Sequence, residues 1–573
     1  RRPGAIAISE GATVQVDPGQ SITLSGGQTT VEGTLRARGG RIDILNPETD
    51  GVTQSQSLGE SIWIGENALL DASGFAYTAT GARGRRYGEV LDGGQVTLGS
   101  LAPDELNDNG IYEINNRFIV VRDGAVIDVS GTRADLDLGG DRPTTVASSA
   151  GGLAMRSNAG IYFDGELRAR AGGEGAAGGD LELMLETVLL PSNSGDERQA
   201  GLRNIVLGEQ LSSGMPEDIE PGPGNAGLRY GEARLATDDL ADWGVDGLSV
   251  WARDAILFEG DTSLSLDRKI ALGATVIGAA QENPDIQVEL AAPYVNLSGR
   301  TALPTLPGDG GDNNGPAIFF NYDGFHARSE LTDPGSRFSV RADLIDLGRG
   351  SLTFGGRGSR DLLNGQEQVD LPGFGSVRLD SRGDLRLHDV ILGTDRELTL
   401  VAERLYPTTH SNNVIQVGVA PAGSPNGDPM PDAVLRIERR GSGPVKLPPS
   451  VFGSVFLRAP RIEQGGALLA PLGSIEIDGG RPPLLGTSLA GLLPPSVIDV
   501  AVDAVLQEGS VTSISAAGLT LPYGYTTDGI NYWYNGEEID FDLPGATGSD
   551  QAQRVGGGIR FGTATFMAEE GAV

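Results

Sequence analysis

The feature that most constrains this chain is a return at short range. Gly453-Ser454 recurs as Gly473-Ser474, 20 residues on, and Val455 and Leu457 recur as Ile475 and Ile477. Apolar residues at every second position mark strands. A repeat of about 20 residues is the length of one coil of a β-solenoid. Pro460 ends the strand that begins here because it cannot donate to a ladder.

A core pattern of two alternating large residues, then Ala, then a further apolar residue occurs four times. It reads Val288/Leu290/Ala292/Val295, Phe338/Val340/Ala342/Ile345, Leu398/Leu400/Ala402/Leu405 and Val455/Leu457/Ala459/Ile462. A small residue fits the place where a coil turns inside a narrow core, and stacked coils share a core only if each repeats its apolar positions. Ala292, Ala342, Ala402 and Ala459 are therefore read as corner residues in matching register. The expected fold is all-β, a single right-handed parallel β-helix with loop and short-helix excursions.

Residues 1–185 carry a first repeat style. Leu35-Arg-Ala-Arg-Gly39, Leu70-Asp-Ala-Ser-Gly74 and Ile127-Asp-Val-Ser-Gly131 share one pattern, with Leu167-Arg-Ala-Arg-Ala-Gly172 as a variant. Gly40, Gly94 and Gly179 each open an alternating strand, and glycine there is expected to supply the positive φ of a tight corner. The polar stretches near 46–60, 75–92, 100–116 and 132–157 read as loops leaving the rod. Residues 186–245 read as an irregular insertion with a short helix capped at Thr237 and ending by Gly244. Coils of a second style are expected over 246–573, with an aromatic loop at 521–555.

A solenoid grows by adding coils, so the 573 residues need not mean several domains. The 87 glycines and 5% aromatics suit turns between short strands. At about 20–25 residues and about 4.8 Å per coil, the rod is expected to run roughly 90–120 Å. The net charge of −34 argues against nucleic acid, which needs a basic footprint, and against an anionic membrane. There is no cysteine, and no apolar run reaches membrane-helix length. The start at Arg1-Arg2-Pro3, without Met, reads as a piece of something longer.

Three blocks resemble recurring segments of filamentous-haemagglutinin-type exoproteins. They are Leu398-Thr-Leu-Val-Ala-Glu-Arg-Leu-Tyr-Pro407, Leu457-Arg-Ala-Pro-Arg-Ile-Glu-Gln-Gly-Gly466 and Leu521-Pro-Tyr-Gly-Tyr-Thr-Thr-Asp-Gly529. The resemblance implies the shaft of the large secreted partner in two-partner secretion. It implies export through an outer-membrane barrel transporter and display on, or release from, a Gram-negative cell surface. It also implies roles in adhesion, aggregation or toxin delivery, with host-cell, bacterial or polysaccharide receptors and self-association as the partner classes. Asn46-Pro47 and Asn283-Pro284 do not sit in the context of that family's secretion domain.

Several site readings remain. Tyr523, Tyr525, Tyr532, Trp533 and Tyr534 cluster in one excursion, where aromatics can stack on sugars or pin the loop. They are the candidate ligand or partner contacts. Asp309 and Asp312 offer oxygen ligands of the kind calcium takes, but without the spacing of a calcium loop. A solvated turn is preferred, and calcium is the one cofactor suggested. Asp238/Asp239 and Glu537/Glu538 are carboxylate pairs expected by chance in an acidic chain, and glycoside cleavage needs a set separation. The three histidines, His326, His388 and His410, lie apart, and none has a triad-like setting. Arg382-Gly383-Asp384 matches an integrin-binding tripeptide, but Gly and Asp also suit the corner before Leu385. No catalytic residue is assigned. The reading is a structural rod segment. A self-assembling extracellular fibre and a carbohydrate-active β-helix enzyme are the alternatives.

Overall fold

The computed structural model describes residues 4–45, 60–102, 117–139, 143–186, 190–191, 202–222, 227–281, 285–300, 316–317, 332–362, 365–418, 430–478, 502–519, 524–527, 531–534, 537–539 and 558–573. The chain forms two compact units. The first is Arg1–Asn296 with Ala302–Phe325 and Arg357–Pro372; the second is Leu297–Thr301 with His326–Gly356 and Gly373–Val573. In both, short strands pair in parallel with the equivalent strands of neighbouring coils, which makes each a parallel β-helix.

In the first unit each early coil contributes three strands. The first face begins with Ala5–Ile8, Gln28–Val31, Ser61–Ile64, Phe118–Val121 and Gly160–Phe163. The second face is Thr13–Gln15, Thr34–Arg36, Leu69–Asp71, Val126–Asp128 and Glu166–Arg168. The third face includes Ser21–Ser25, Arg41–Leu45, Gln95–Gly99, Gly152–Ser157, Gly179–Leu185 and Val245–Ala252. The sequence repeats stack in register: Leu35 pairs with Leu70, Leu70 with Ile127, and Ile127 with Leu167. All four are buried, and each such side chain contributes about 1.5–3 kcal/mol relative to exposure.

The glycines that open third-face strands serve a different purpose from the one expected. Gly40, Gly94 and Gly179 are not among the positive-φ residues. A Cβ on Gly40 would lie 1.9 Å from the Gln20 carbonyl oxygen, and one on Gly94 would lie 2.0 Å from that of Gly40. Backbone passes over backbone here, so the constraint is close approach and not dihedral freedom.

The chain does not add coils in simple order throughout. After Gly179–Leu185 it forms Asn204–Gly208, then turns back to lay Glu232–Ala236 between that strand and Gly160–Phe163. Ile161 pairs with Ala233, Ala233 with Ile205, and Ile205 with Ile256. The segment 186–245 thus carries two ladder strands as well as the helix, Asp238–Trp243. This helix takes the place of a second-face strand. Its terminal carbonyls accept from the last one: Ala169 N donates to Trp243 O at 2.8 Å, and the Arg170 guanidinium donates to Asp242 O. Gly244 closes it at φ 80, but the Thr237 hydroxyl does not cap it; that group donates to Gly208 O at 3.3 Å.

In the second unit the first face is Gly350–Phe354, Val390–Thr394, Asn412–Val417, Ser454–Arg458, Ser474–Asp478 and Ile559–Gly562. The second face passes through Phe374–Ser381, Glu397–Ala402, Val434–Arg439, Arg461–Gly465, Asp503–Leu506 and Thr565–Ala568. The third comprises Asp384–Leu387, Arg404–Pro407, Ala467–Leu469 and Val511–Ser513, and Asp333–Gly348 runs along both second and third. The 20-residue return is a direct ladder: Ser454 pairs with Ser474, Val455 with Ile475 and Leu457 with Ile477. Phe338, Phe354 and Phe374 fill the core, with centroids 5.1 and 5.3 Å from Phe338.

Ala292, Ala342, Ala402 and Ala459 are all buried. The expected common register does not hold for the fourth. Ala342 and Ala402 turn from second face to third, whereas Val455 and Leu457 lie on the first face and Ile462 on the second. Ala459 therefore turns an earlier corner. The same local pattern serves two corners because each demands only a small side chain between two buried strands. A further corner surprises: His410, Phe452 and Leu472, each two residues ahead of a first-face strand, have φ of 63, 63 and 55. Their N–H groups still donate to neighbouring backbone, to Val451 O, Pro471 O and Ile514 O, which holds these residues where glycine is usual.

Candidate functional site

Two hairpins leave the first unit at the same place in successive coils, just after the second face. Phe75–Thr80 pairs antiparallel with Arg86–Leu91, and Arg133–Leu136 with Thr144–Ala147. The reading of 75–92 and 132–157 as loops gives way to hairpins here, and the second stretch also holds the ladder strand Gly152–Ser157. Alternating Phe75-Ala-Tyr-Thr-Ala-Thr80, a turn containing Gly81 and Gly84, and Arg86-Tyr-Gly-Glu-Val-Leu91 are a hairpin signal that was open to reading. Both excursions pass through glycine gaps: a Cβ on Gly93 would lie 2.0 Å from Val129 O, and one on Gly131 2.2 Å from Ser148 O.

The hairpins are tied together. Arg86 N donates to Asp137 Oδ2 at 2.5 Å, and Asp137 N returns a bond to Arg86 O at 2.7 Å. Tyr77, on the side of the first hairpin away from the second, donates its hydroxyl to Pro18 O at 3.2 Å, and Phe75 meets its ring edge-on at 4.9 Å. Between the hairpins lies an open cleft of about 600 Å³, whose polar lining is Thr78, Arg86, Arg133, Asp135 and Thr145. Thr145 donates to Asp135 Oδ1 at 2.6 Å. Arg83, Arg85, Arg86 and Arg133 are exposed, and among the described residues none has a carboxylate within ion-pair distance.

Other arginines of the described residues are held by carboxylates. Arg36 and Arg38 both donate to Asp71 Oδ2, at 2.9 and 3.1 Å. Burial alone pushes the Asp71 carboxyl up, but the Ser73 hydroxyl and the two arginines outweigh it and hold the group below its ordinary value. On the second unit Arg436 bridges Glu397 at 2.6 Å and Glu463 at 2.9 Å.

The Arg-Gly-Asp triplet is a corner. Asp384 accepts from Arg404 Nε and NH2 at 2.7 and 2.6 Å and from the Tyr406 hydroxyl at 3.0 Å. Arg382 meets Asp343 at 3.2 Å. Three donors take most of this carboxylate's acceptor sites, which commits it to the corner. Burial, then the negative charge of Asp384, pushes the Tyr406 phenol well above its ordinary value.

The aromatic segment forms a three-stranded antiparallel sheet of Gly524–Thr527, Asn531–Tyr534 and Glu537–Ile539, not a loop. Tyr525 stands opposite Trp533, Thr526 opposite Tyr532, and Gly524 opposite Tyr534. Tyr523 lies outside the described residues, as do Asp309, Asp312, His326, Asn46-Pro47 and Asn283-Pro284. His388 accepts at Nε2 from Arg349 Nε at 2.9 Å and holds Thr408 Oγ1 2.8 Å from Nδ1. The His410 ring meets Phe452 edge-on, with centroids 5.9 Å apart. Asp238 and Asp239 share the first turn of the helix, and burial with the neighbouring Asp238 and Asp242 charges raises Asp239. Glu537 and Glu538 are adjacent in one strand of the aromatic sheet. Among the described residues no group of three or more acidic or histidine side chains is placed to hold a metal ion.

The fold and this surface define a parallel β-solenoid with lateral hairpins. No family model, curated protein or solved structure matches the chain.

Proposed function

We propose that the chain is a structural segment of a large exoprotein of the filamentous-haemagglutinin kind, a stiff shaft that presents binding or effector elements away from a Gram-negative cell. The observation that carries the reading is the repeated parallel ladder within each unit. Most of the chain builds coils whose buried positions repeat, while lateral elements such as the paired hairpins are additions between strands. Backbone ladders resist bending, so the physical role of such a fold is presentation. Export through an outer-membrane barrel and display at the cell surface belong to the same proposal, supported by the three sequence blocks.

A second reading is an extracellular fibre built by end-to-end stacking. Coil edges favour it: Val14 in the first coil and Phe566 and Met567 in the last are exposed, and unpaired strand edges are templates for further strands. The next coils of a longer parent would cover the same edges. Electron microscopy of the protein purified from its native source, at low and high concentration, separates the two. Single rods, or rods continuous with a longer chain, support the shaft. Long unbranched filaments whose axial repeat equals one chain overturn it.

A further inference from the structure

We propose that the cleft between the two hairpins of the first unit binds a polysaccharide bearing carboxylates, with Arg86 and Arg133 taking the carboxylate and Asp135, Thr78 and Thr145 its hydroxyls. The inference does not depend on the shaft reading. It starts from an imbalance of charge. The chain carries −34, yet Arg83, Arg85 and Arg86 crowd one hairpin and Arg133, on the next, shares the cleft with Arg86, none of the four with an ion-pair partner among the described residues. Acidic groups elsewhere are screened beyond about 10 Å at physiological salt, so the local potential is set by these arginines together with Asp135 and Asp137 beside them, a balance of four cations to two carboxylates. A guanidinium presents a planar fork that matches a carboxylate.

The rest of the lining narrows the class. Asp135 disfavours a heavily sulfated glycan, with several charges per sugar, more than a chain with one carboxylate per sugar, and it accepts hydrogen bonds from hydroxyls. Thr78 and Thr145 add two groups that both donate and accept. Ring stacking is not offered inside the cleft, because Tyr77 and Tyr87 alternate to the opposite face of their hairpin from Thr78 and Arg86. A base-stacking ligand lacks its platform there, whereas a hydroxyl-rich chain with one carboxylate per sugar finds partners for both kinds of group. The cleft is open to solvent, which admits one stretch of a longer polymer.

The test uses the full chain and polygalacturonate at about 0.15 M salt, with binding measured by calorimetry or biolayer interferometry. Wild type should bind, and the double variant Arg86→Ala/Arg133→Ala should bind roughly 10-fold or more weakly, as expected for the loss of charge-assisted hydrogen bonds. Its melting temperature should be unchanged because both side chains are exposed. Arg382→Ala, an exposed arginine on the other unit, should bind like wild type. The proposal is overturned if wild type fails to bind, if the double variant binds equally well, or if Arg382→Ala loses as much. It is overturned as to class if dextran sulfate or neutral dextran binds as tightly as polygalacturonate.

Discussion

A Cβ on Gly151 would fall 1.8 Å from the carbonyl oxygen of Gly94, and the same conflict joins Gly94 to Gly40 at 2.0 Å. These glycines form a column along which three coils rest backbone on backbone. Gly94→Ala has no flexible side chain to displace, so neighbouring coils must separate locally. We expect a loss of about 3 kcal/mol or more, the upper end for overpacking a closed site. Denaturant unfolding of the variant checks this, and a loss under about 1 kcal/mol would show that the coils part easily.

Glu186 and Arg253 form a buried pair in the first unit, at 3.7 Å with side-chain exposures of 0% and 3%. Arg203 adds a bond from Nε to Glu186 O at 3.3 Å, and its N–H donates to Asp254 Oδ2 at 2.6 Å. This cluster lies where the chain steps ahead to Asn204–Gly208 before turning back. Glu186→Ala leaves Arg253 buried without that carboxylate, and the expected cost is about 3–5 kcal/mol. The double change Glu186→Leu/Arg253→Met should cost much less, a comparison that thermal or denaturant melts provide.

Asp395 is buried in the second unit, and that burial pushes its pKa up from 3.8 to about 6, against the smaller opposing pull of the Thr332 hydroxyl and the Arg396 charge. The folded value lies above the unfolded one. Its stabilising contribution is therefore present below about pH 4 and is lost as pH rises through about 6. Asp395→Asn removes this dependence, so the melting temperature of the variant relative to wild type should rise between pH 4 and pH 7. An unchanged difference would show that Asp395 ionises without cost.

Arg404 and Asp384 pair in a fork at 2.6 and 2.7 Å across two ladder strands of the second unit. Both are mostly buried, and Asp384 also accepts from the buried Tyr406 hydroxyl, so Asp384→Ala is expected to cost about 2–3 kcal/mol. Integrin-coated surfaces should bind wild type and variant equally weakly. Adhesion that depends on Asp384 would overturn the assignment of this triplet to a corner.

Much of the fold was legible because a solenoid writes its tertiary contacts into its sequence. Leu35, Leu70, Ile127 and Leu167 were aligned as repeats and stand paired in space. The hairpin cleft was not read, since Arg86 and Arg133 lie 47 positions apart and only successive coils bring their hairpins side by side.

What the sequence determined by itself was the period: apolar alternation, small corner residues and glycines at strand starts dictate parallel coils, because every coil must bury the same positions as its neighbours. Tertiary structure decided the rest. It set Glu232–Ala236 between Gly160–Phe163 and Asn204–Gly208, against chain order. It made Gly40 and Gly94 necessary through close approach of backbones and not through φ. It also placed Ala459 at a different corner from Ala342 and Ala402. The physical reason is shared. A local pattern specifies that a strand pairs and which face is buried, while the choice of neighbouring strand is a non-local competition settled only when backbone bonds and buried charges such as Glu186 and Arg253 are satisfied together.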